Sequence, residues 1–288
     1  MTRSESGYNS GRMGPSPLTL LDTPRMDGAT MLLALTGWMD GGLVSTGTVK
    51  HLMQDRSLVE VGKIEPRGFY IDNFPGSMEI TALFRPHVRY RRGLIKSFDM
   101  PGNEFYADPP ANIAFFLGKE PNLDWQGFAD CIFEVVGKLG VKRVIFMGSF
   151  GGSVPHTREP RLYGSVSEKK LLPLLQKHGL RPTEYEGPAS FATYLLTRSP
   201  GHGVEMLSIA AEIPGYLQGL NPLSIAAVAR RLSAILNLPL DLATLREAST
   251  KWESEVSDAV DKDEELAQTV RKLEEEYDNE LIESGEEE

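Results

Sequence analysis

A chain of 288 residues, 41% hydrophobic and 24% charged, is long enough for one large α/β domain with an appendage, and no stretch approaches the ~20 apolar residues of a bilayer span. The net charge of −10 is concentrated in residues 251–288, which hold 16 acidic and 4 basic side chains, so the nearly neutral remainder argues against a nucleic-acid binder, which would need a basic face. A single cysteine, Cys131, excludes an internal disulfide and a multi-thiolate metal site.

Residues 1–28 are rich in Gly, Ser, Pro and Thr and read as a flexible N-terminal segment. They lack the apolar core of a secretory signal, so the expected location is the cytoplasm. "TMLLALTG" (30–37) has the continuous apolar pattern of a strand buried on both faces. "WMDGG" turns the chain, and "LVSTGTVKHLMQ" reads as the helix that follows. Short β-branched or aromatic runs bounded by Pro, Gly and Asn predict strands at "LVEVGKIEP", "GFYI", "MEITALF" and "GLIKSFDM". The basic run "RPHVRYRRG" (85–93) reads as an exposed strand with alternating charges.

"ANIAFFLG" (111–118) is another buried strand. The next run, "LDWQGFADCIFEVVGKLG", places Trp125, Phe128, Ile132, Val135, Val136 and Leu139 at helical spacing, with Gly140 as the stop. Cys131 falls inside this helix as a small apolar side chain. "VKRVIFMG" follows as a strand, so the three pieces form a β-α-β crossover and imply parallel strands. Beyond it, "SEKKLLPLLQKHG" and "GPASFATYLL" read as helices, and "GVEMLSIAAEIPG" (203–215) as an internal strand. "NPLSIAAVARRLSAILNL" opens with an Asn cap and Pro at the first helical position. Two helices close the chain, capped by Asp241 and Asp263. The second carries Leu266, Val270, Leu273, Tyr277 and Leu281 in a stripe too narrow to hold it alone. Alternating strands and helices predict a three-layer α/β/α sandwich with a core over 29–240 and a helical acidic extension over 241–288.

The stretch "GSFGGSVPHTREP" (148–160) invites a catalytic reading. A nucleophile elbow needs Gly-x-Ser-x-Gly, but Met147 stands where the first glycine belongs, and the prolines that follow prevent an immediate helix. A phosphate-cradling loop needs Lys followed by Ser or Thr, and none is present. Ser149 therefore reads as a spectator where the chain leaves the sheet, with Gly151 and Gly152 permitting tight backbone geometry. The five histidines form no His-x-x-x-His pair, so no metal site and no cofactor are expected. Asp40, between a buried strand and a helix start, is either a cap or a carboxylate at the crevice where α/β sheets place ligands. Glu212 ends another internal strand. The expected crevice is made of Trp38, Asp40, Gly41 and Ser149, together with His156, Thr157, Arg158, Glu212 and Tyr216; none of these is assigned a catalytic role.

Several separated motifs occur in one order: "GWMDGG", "RPHVRY", "PGNEFYADPP", "GKEP", "VPHTREP", "YEGPAS" and "AAEIPGYLQGLNPLSIA". Together they resemble the bacterial branch of the proteasome assembly chaperone 2 family, over most of the chain. The resemblance implies a phosphorylase/hydrolase-like fold with a mixed sheet, and self-association into small homo-oligomers. It also implies a role in protein interaction or assembly rather than catalysis. Some eukaryotic and archaeal relatives end in a hydrophobic-Tyr-any tripeptide that inserts into the proteasome ring. This chain ends "SGEEE", so docking by that route is not expected. The alternative reading is an enzyme or nucleotide-like small-molecule binder, with Asp40 as base and His156 and Arg158 holding an anionic group.

Overall fold

The computed structural model describes residues 16–285. The chain begins with β1 (Leu18–Leu20), β2 (Ala29–Thr36), α1 (Val44–Met53) and β3 (Val59–Ile64). An excursion follows, made of α2 (Met78–Ala82), β4 (His87–Arg91) and β5 (Leu94–Asp99). The chain then returns through β6 (Glu104–Asp108), β7 (Ile113–Lys119), α3 (Trp125–Leu139) and β8 (Val141–Gly152). Next come β9 (Leu162–Val166), α4 (Leu172–Lys177), β10 (Arg181–Pro182), α5 (Phe191–Arg198) and β11 (Glu205–Pro214). The last elements are α6 (Pro222–Leu236), α7 (Ala243–Val260) and α8 (Glu264–Gly285).

Among the described residues, nine strands form one mixed sheet in the order β1-β3-β6-β7-β2-β8-β11-β9-β10. The central strands β7, β2, β8 and β11 are parallel, as the crossover through α3 requires. Along β2 the side chains alternate. Met31, Leu33 and Leu35 join the core beneath α3 and α5, while Leu32 and Ala34 join the core beneath α1 and α6. This is the expected three-layer α/β/α sandwich. α3 starts where Asp124 accepts a hydrogen bond from the Gly127 N–H at 3.0 Å, and it stops at Gly140, whose φ of +76° suits glycine. Its Phe128 is fully buried among Phe69, Phe116 and Phe191. Burying one such ring stabilises the fold by roughly 1.5–3 kcal/mol.

The structure departs from the sequence expectations at four places. "GFYI" is a turn, not a strand: Gly68 has φ +89°, and Phe69 and Tyr70 are pulled inward against Phe128. "MEITALF" is the short helix α2, whose first turn carries Glu79 in contact with the Ser77 hydroxyl; its alternating apolar residues mimic a strand by coincidence. The strand from Val141 does not leave the sheet at Ser149 but pairs with β11 as far as Gly152 opposite Pro214. Gly152 is needed there for close approach, since a Cβ would fall 2.3 Å from Glu212 Oε1. Of the N-terminal segment, residues 1–15 lie outside the described residues, while Leu18–Leu20 is an edge strand paired with β3. The acidic end at 286–288 also lies outside them.

Candidate functional site

The predicted crevice residues fall into two groups, one at the turn between β2 and α1 and one around the loop 153–161. Ile209, Ala211 and Ile213 of β11 pack into the core beneath α1 and α6, so the intervening Glu212 faces the other way. Ser149 is paired with Ala211 and shares the α1–α6 face.

The first group is built by the "GWMDGG" turn. Asp40 is buried, and its carboxylate accepts from the Thr46 N–H at 3.1 Å and the Thr46 hydroxyl at 2.8 Å. It thus caps the first turn of α1, one of the two roles its position allowed. Burial pushes the carboxyl above its ordinary value, and the Thr46 bonds pull partly the other way. Ser149 donates its hydroxyl proton to the Gly41 carbonyl at 2.6 Å, so the hydroxyl is tied to backbone, and the Asp40 carboxylate is itself engaged by Thr46. The glycines are there for approach: a Cβ on Gly41 would lie 2.8 Å from Ile213, and one on Gly42 2.8 Å from Asn221. Trp38 stands apart, 65% exposed, with its N–H donated to Glu120 at 2.9 Å. The other oxygen of Glu120 accepts from the Phe191 N–H at 2.7 Å. That carboxylate, inside "GKEP", ties the β2 exit to the start of α5, a role that residue type alone does not disclose.

The second group surrounds the loop 153–161, and here every polar group has an intrachain partner. Glu212 Oε1 accepts from the Ser153 N–H at 2.7 Å and the Val154 N–H at 3.1 Å, and Oε2 lies 3.3 Å from Arg161. His156 is buried; its N–H donates to the Tyr216 hydroxyl at 2.9 Å, and its Nδ1 lies 2.7 Å from the same oxygen. Because that phenol accepts from the backbone, its own proton goes to Nδ1, which leaves Nε2–H to donate to Ser257 of α7 at 3.1 Å. Burial holds the imidazole below its ordinary value despite Glu274, Glu253 and Asp261 nearby, so it is neutral at pH 7.

Thr157 donates to Glu274. Arg158 grips Asp278 with two parallel bonds of 2.8 Å. Glu280 bridges Arg161 and Arg181, and Tyr277 lies beneath the Arg161 guanidinium at 4.3 Å while donating to the Glu159 carbonyl at 2.9 Å. The acidic helix, whose apolar stripe is too narrow to hold it alone, is therefore latched across its own body. These partners on α7 and α8, about 100 positions or more away in sequence, are the contacts that motif reading missed.

The excursion at 72–101 has the opposite character. β4 and β5 pair only with each other, and Met78, Leu83, Tyr90, Leu94, Ile95 and Phe98 are all exposed. The same segment carries Arg85, Arg89, Arg91, Arg92 and Lys96, together with Asp72, Glu79 and Asp99. Among the described residues no cluster of His, Cys, Asp or Glu is arranged to hold a metal, and no helix is long and apolar enough to cross a membrane.

The sequence profile of the PAC2 family matches residues 34–260. The fold superposes with TM-score 0.81 on a Mycobacterium tuberculosis protein of unknown function, at 23% identity, covering 100% of this chain and 95% of that one. A Mycobacterium tuberculosis proteasome-assembly chaperone homologue superposes with TM-score 0.72 at 26% identity, covering 84% of this chain and 99% of that one. An archaeal proteasome activator from Pyrococcus furiosus gives 0.62 at 20% identity, covering 84% and 97%. Among curated proteins, none matches by sequence.

Proposed function

The chain belongs to the PAC2 family, and from that premise we propose that it is a non-enzymatic, cytoplasmic protein-interaction factor of the assembly-chaperone kind, acting as a homo-oligomer. One observation carries this reading. The polar residues that an enzyme would aim at a substrate are spent on intrachain partners, while the apolar excursion at 72–101 is left uncovered. An exposed apolar face of this kind is what interaction surfaces present. The similarity to a proteasome-assembly chaperone homologue supports the same reading.

The excursion's excess of basic over acidic side chains favours a partner with acidic side chains around an apolar patch. The end of α8 on a second copy meets that description, with Leu281 and Ile282 exposed between Glu280 and Glu283. Head-to-tail contact of this type closes into a ring when the rotation allows. The test is light scattering on the full chain after size exclusion, compared with L94S/F98S. A multimer that becomes a monomer in the variant is expected. A monomeric wild type that also captures no stoichiometric protein partner under native conditions would overturn the proposal.

A further inference from the structure

A cavity of about 170 Å³ opens between the start of β9, the start of β10, α6 and α8. That is more than ten times the ~15 Å³ that one water needs. Four guanidiniums line it: Arg161, Arg181, Arg230 and Arg231. Like charges at this density repel unless anions intervene, and the chain supplies three carboxylates for the four cations. Glu212 and Glu280 hold Arg161, Glu280 also holds Arg181, and Glu159 holds Arg230. Among the described residues no carboxylate lies within ion-pair distance of Arg231; Glu159, also on the cavity wall, acts on it only at longer range, and the Arg231 guanidinium is packed against Gly179. Burial and the neighbouring Arg230 both disfavour its charge.

We propose that this cavity is an oxyanion site that takes a phosphate group, free or on a small phosphomonoester, with Arg231 and Arg230 as its principal ligands. Arginine forks match the paired oxygens of such a group, and the way Glu280 spans Arg161 and Arg181 already shows two-oxygen recognition at the cavity wall. The site does not depend on the oligomer proposed above, because all its residues belong to one chain.

Calorimetric titration of the full chain with inorganic phosphate, and separately with adenosine monophosphate, at matched ionic strength tests it. Saturable binding of at least one of the two is expected, weakened about tenfold or more in R231Q by loss of a charge-assisted hydrogen bond. Tighter binding of the nucleotide would identify the source as a phosphomonoester, and equal or tighter binding of phosphate would identify the free ion. R230Q, on an exposed side chain, gives a second variant, and thermal melting of both variants confirms that they fold. Non-saturating heats with both probes, or unchanged affinity in both variants, would overturn the proposal.

Discussion

The loop 153–161 and the excursion 72–101 are both rich in arginine, yet they are opposites. In the loop, Arg158 and Arg161 meet Asp278, Glu212 and Glu280, and even the buried histidine has both ring nitrogens occupied. In the excursion, a two-stranded ribbon holds apolar side chains out to solvent. A two-stranded ribbon with no covering layer is marginal on its own, so its apolar face is not there for the stability of the monomer. The contrast teaches that a dense run of polar motif residues marks internal architecture as readily as a binding site. Partner occupancy separates the two.

The comparison breaks most visibly at Glu212. Removing this carboxylate in E212A strips the Ser153 and Val154 N–H groups of their acceptor and leaves the buried Arg161 with Glu280 alone. Loss of one partner from a buried pair costs about 3–5 kcal/mol, which urea unfolding would read as a lower midpoint. Y216F comes next: it takes away the oxygen shared by the His156 N–H and Nδ1, for about 1–3 kcal/mol.

Acidification sharpens the same contrast. The His156 pKa lies below its ordinary 6.5 in the folded chain, so its contribution is complete above that pH and fades as pH falls beneath it. Stability should decline on going from pH 7.5 towards 5.5 in the wild type and more weakly in H156Q, followed by thermal melting. The smallest effect on folding belongs to the excursion. L94S/F98S should alter unfolding free energy by no more than about 0.5 kcal/mol, because neither side chain is buried, even as it changes the molecular mass in solution.

Much of the scaffold is legible in the sequence. Strands β2, β7, β8 and β11 are continuous apolar runs because both their faces are covered; α3 announces itself by its apolar spacing and Gly140, and α6 by its Asn cap and Pro222. What escapes has physical reasons. β9 has five residues and β10, at the sheet edge, only two, so neither shows a periodicity to detect, and α2 has only five residues, too few to tell a period of 2 from one of 3.6. At the candidate site the residue types were recognisable but their company was not. Pairing Arg158 with Asp278 or Arg161 with Glu280 leaves no periodic trace across such separations. That Ser149 and Glu212 face opposite ways depends on strand register, which only the assembled sheet fixes.

The polarity of α8 sets an order of events during folding. Its beginning is self-sufficient: Asp263 accepts from the Leu266 N–H at 3.1 Å, and Glu264 and Glu265 suit the positive end of the helix. Its far end has no basic residue of its own, and its anchors Arg161 and Arg181 come from the starts of two strands distant in the chain. Those anchors reach their places only after β9, β10 and β11 have come together, so the second half of the helix winds last. Pulse-labelled amide exchange during refolding should find protection there trailing that of β11, and simultaneous protection would contradict this sequence of steps. The closing helix thereby acts as a readout of a finished sheet.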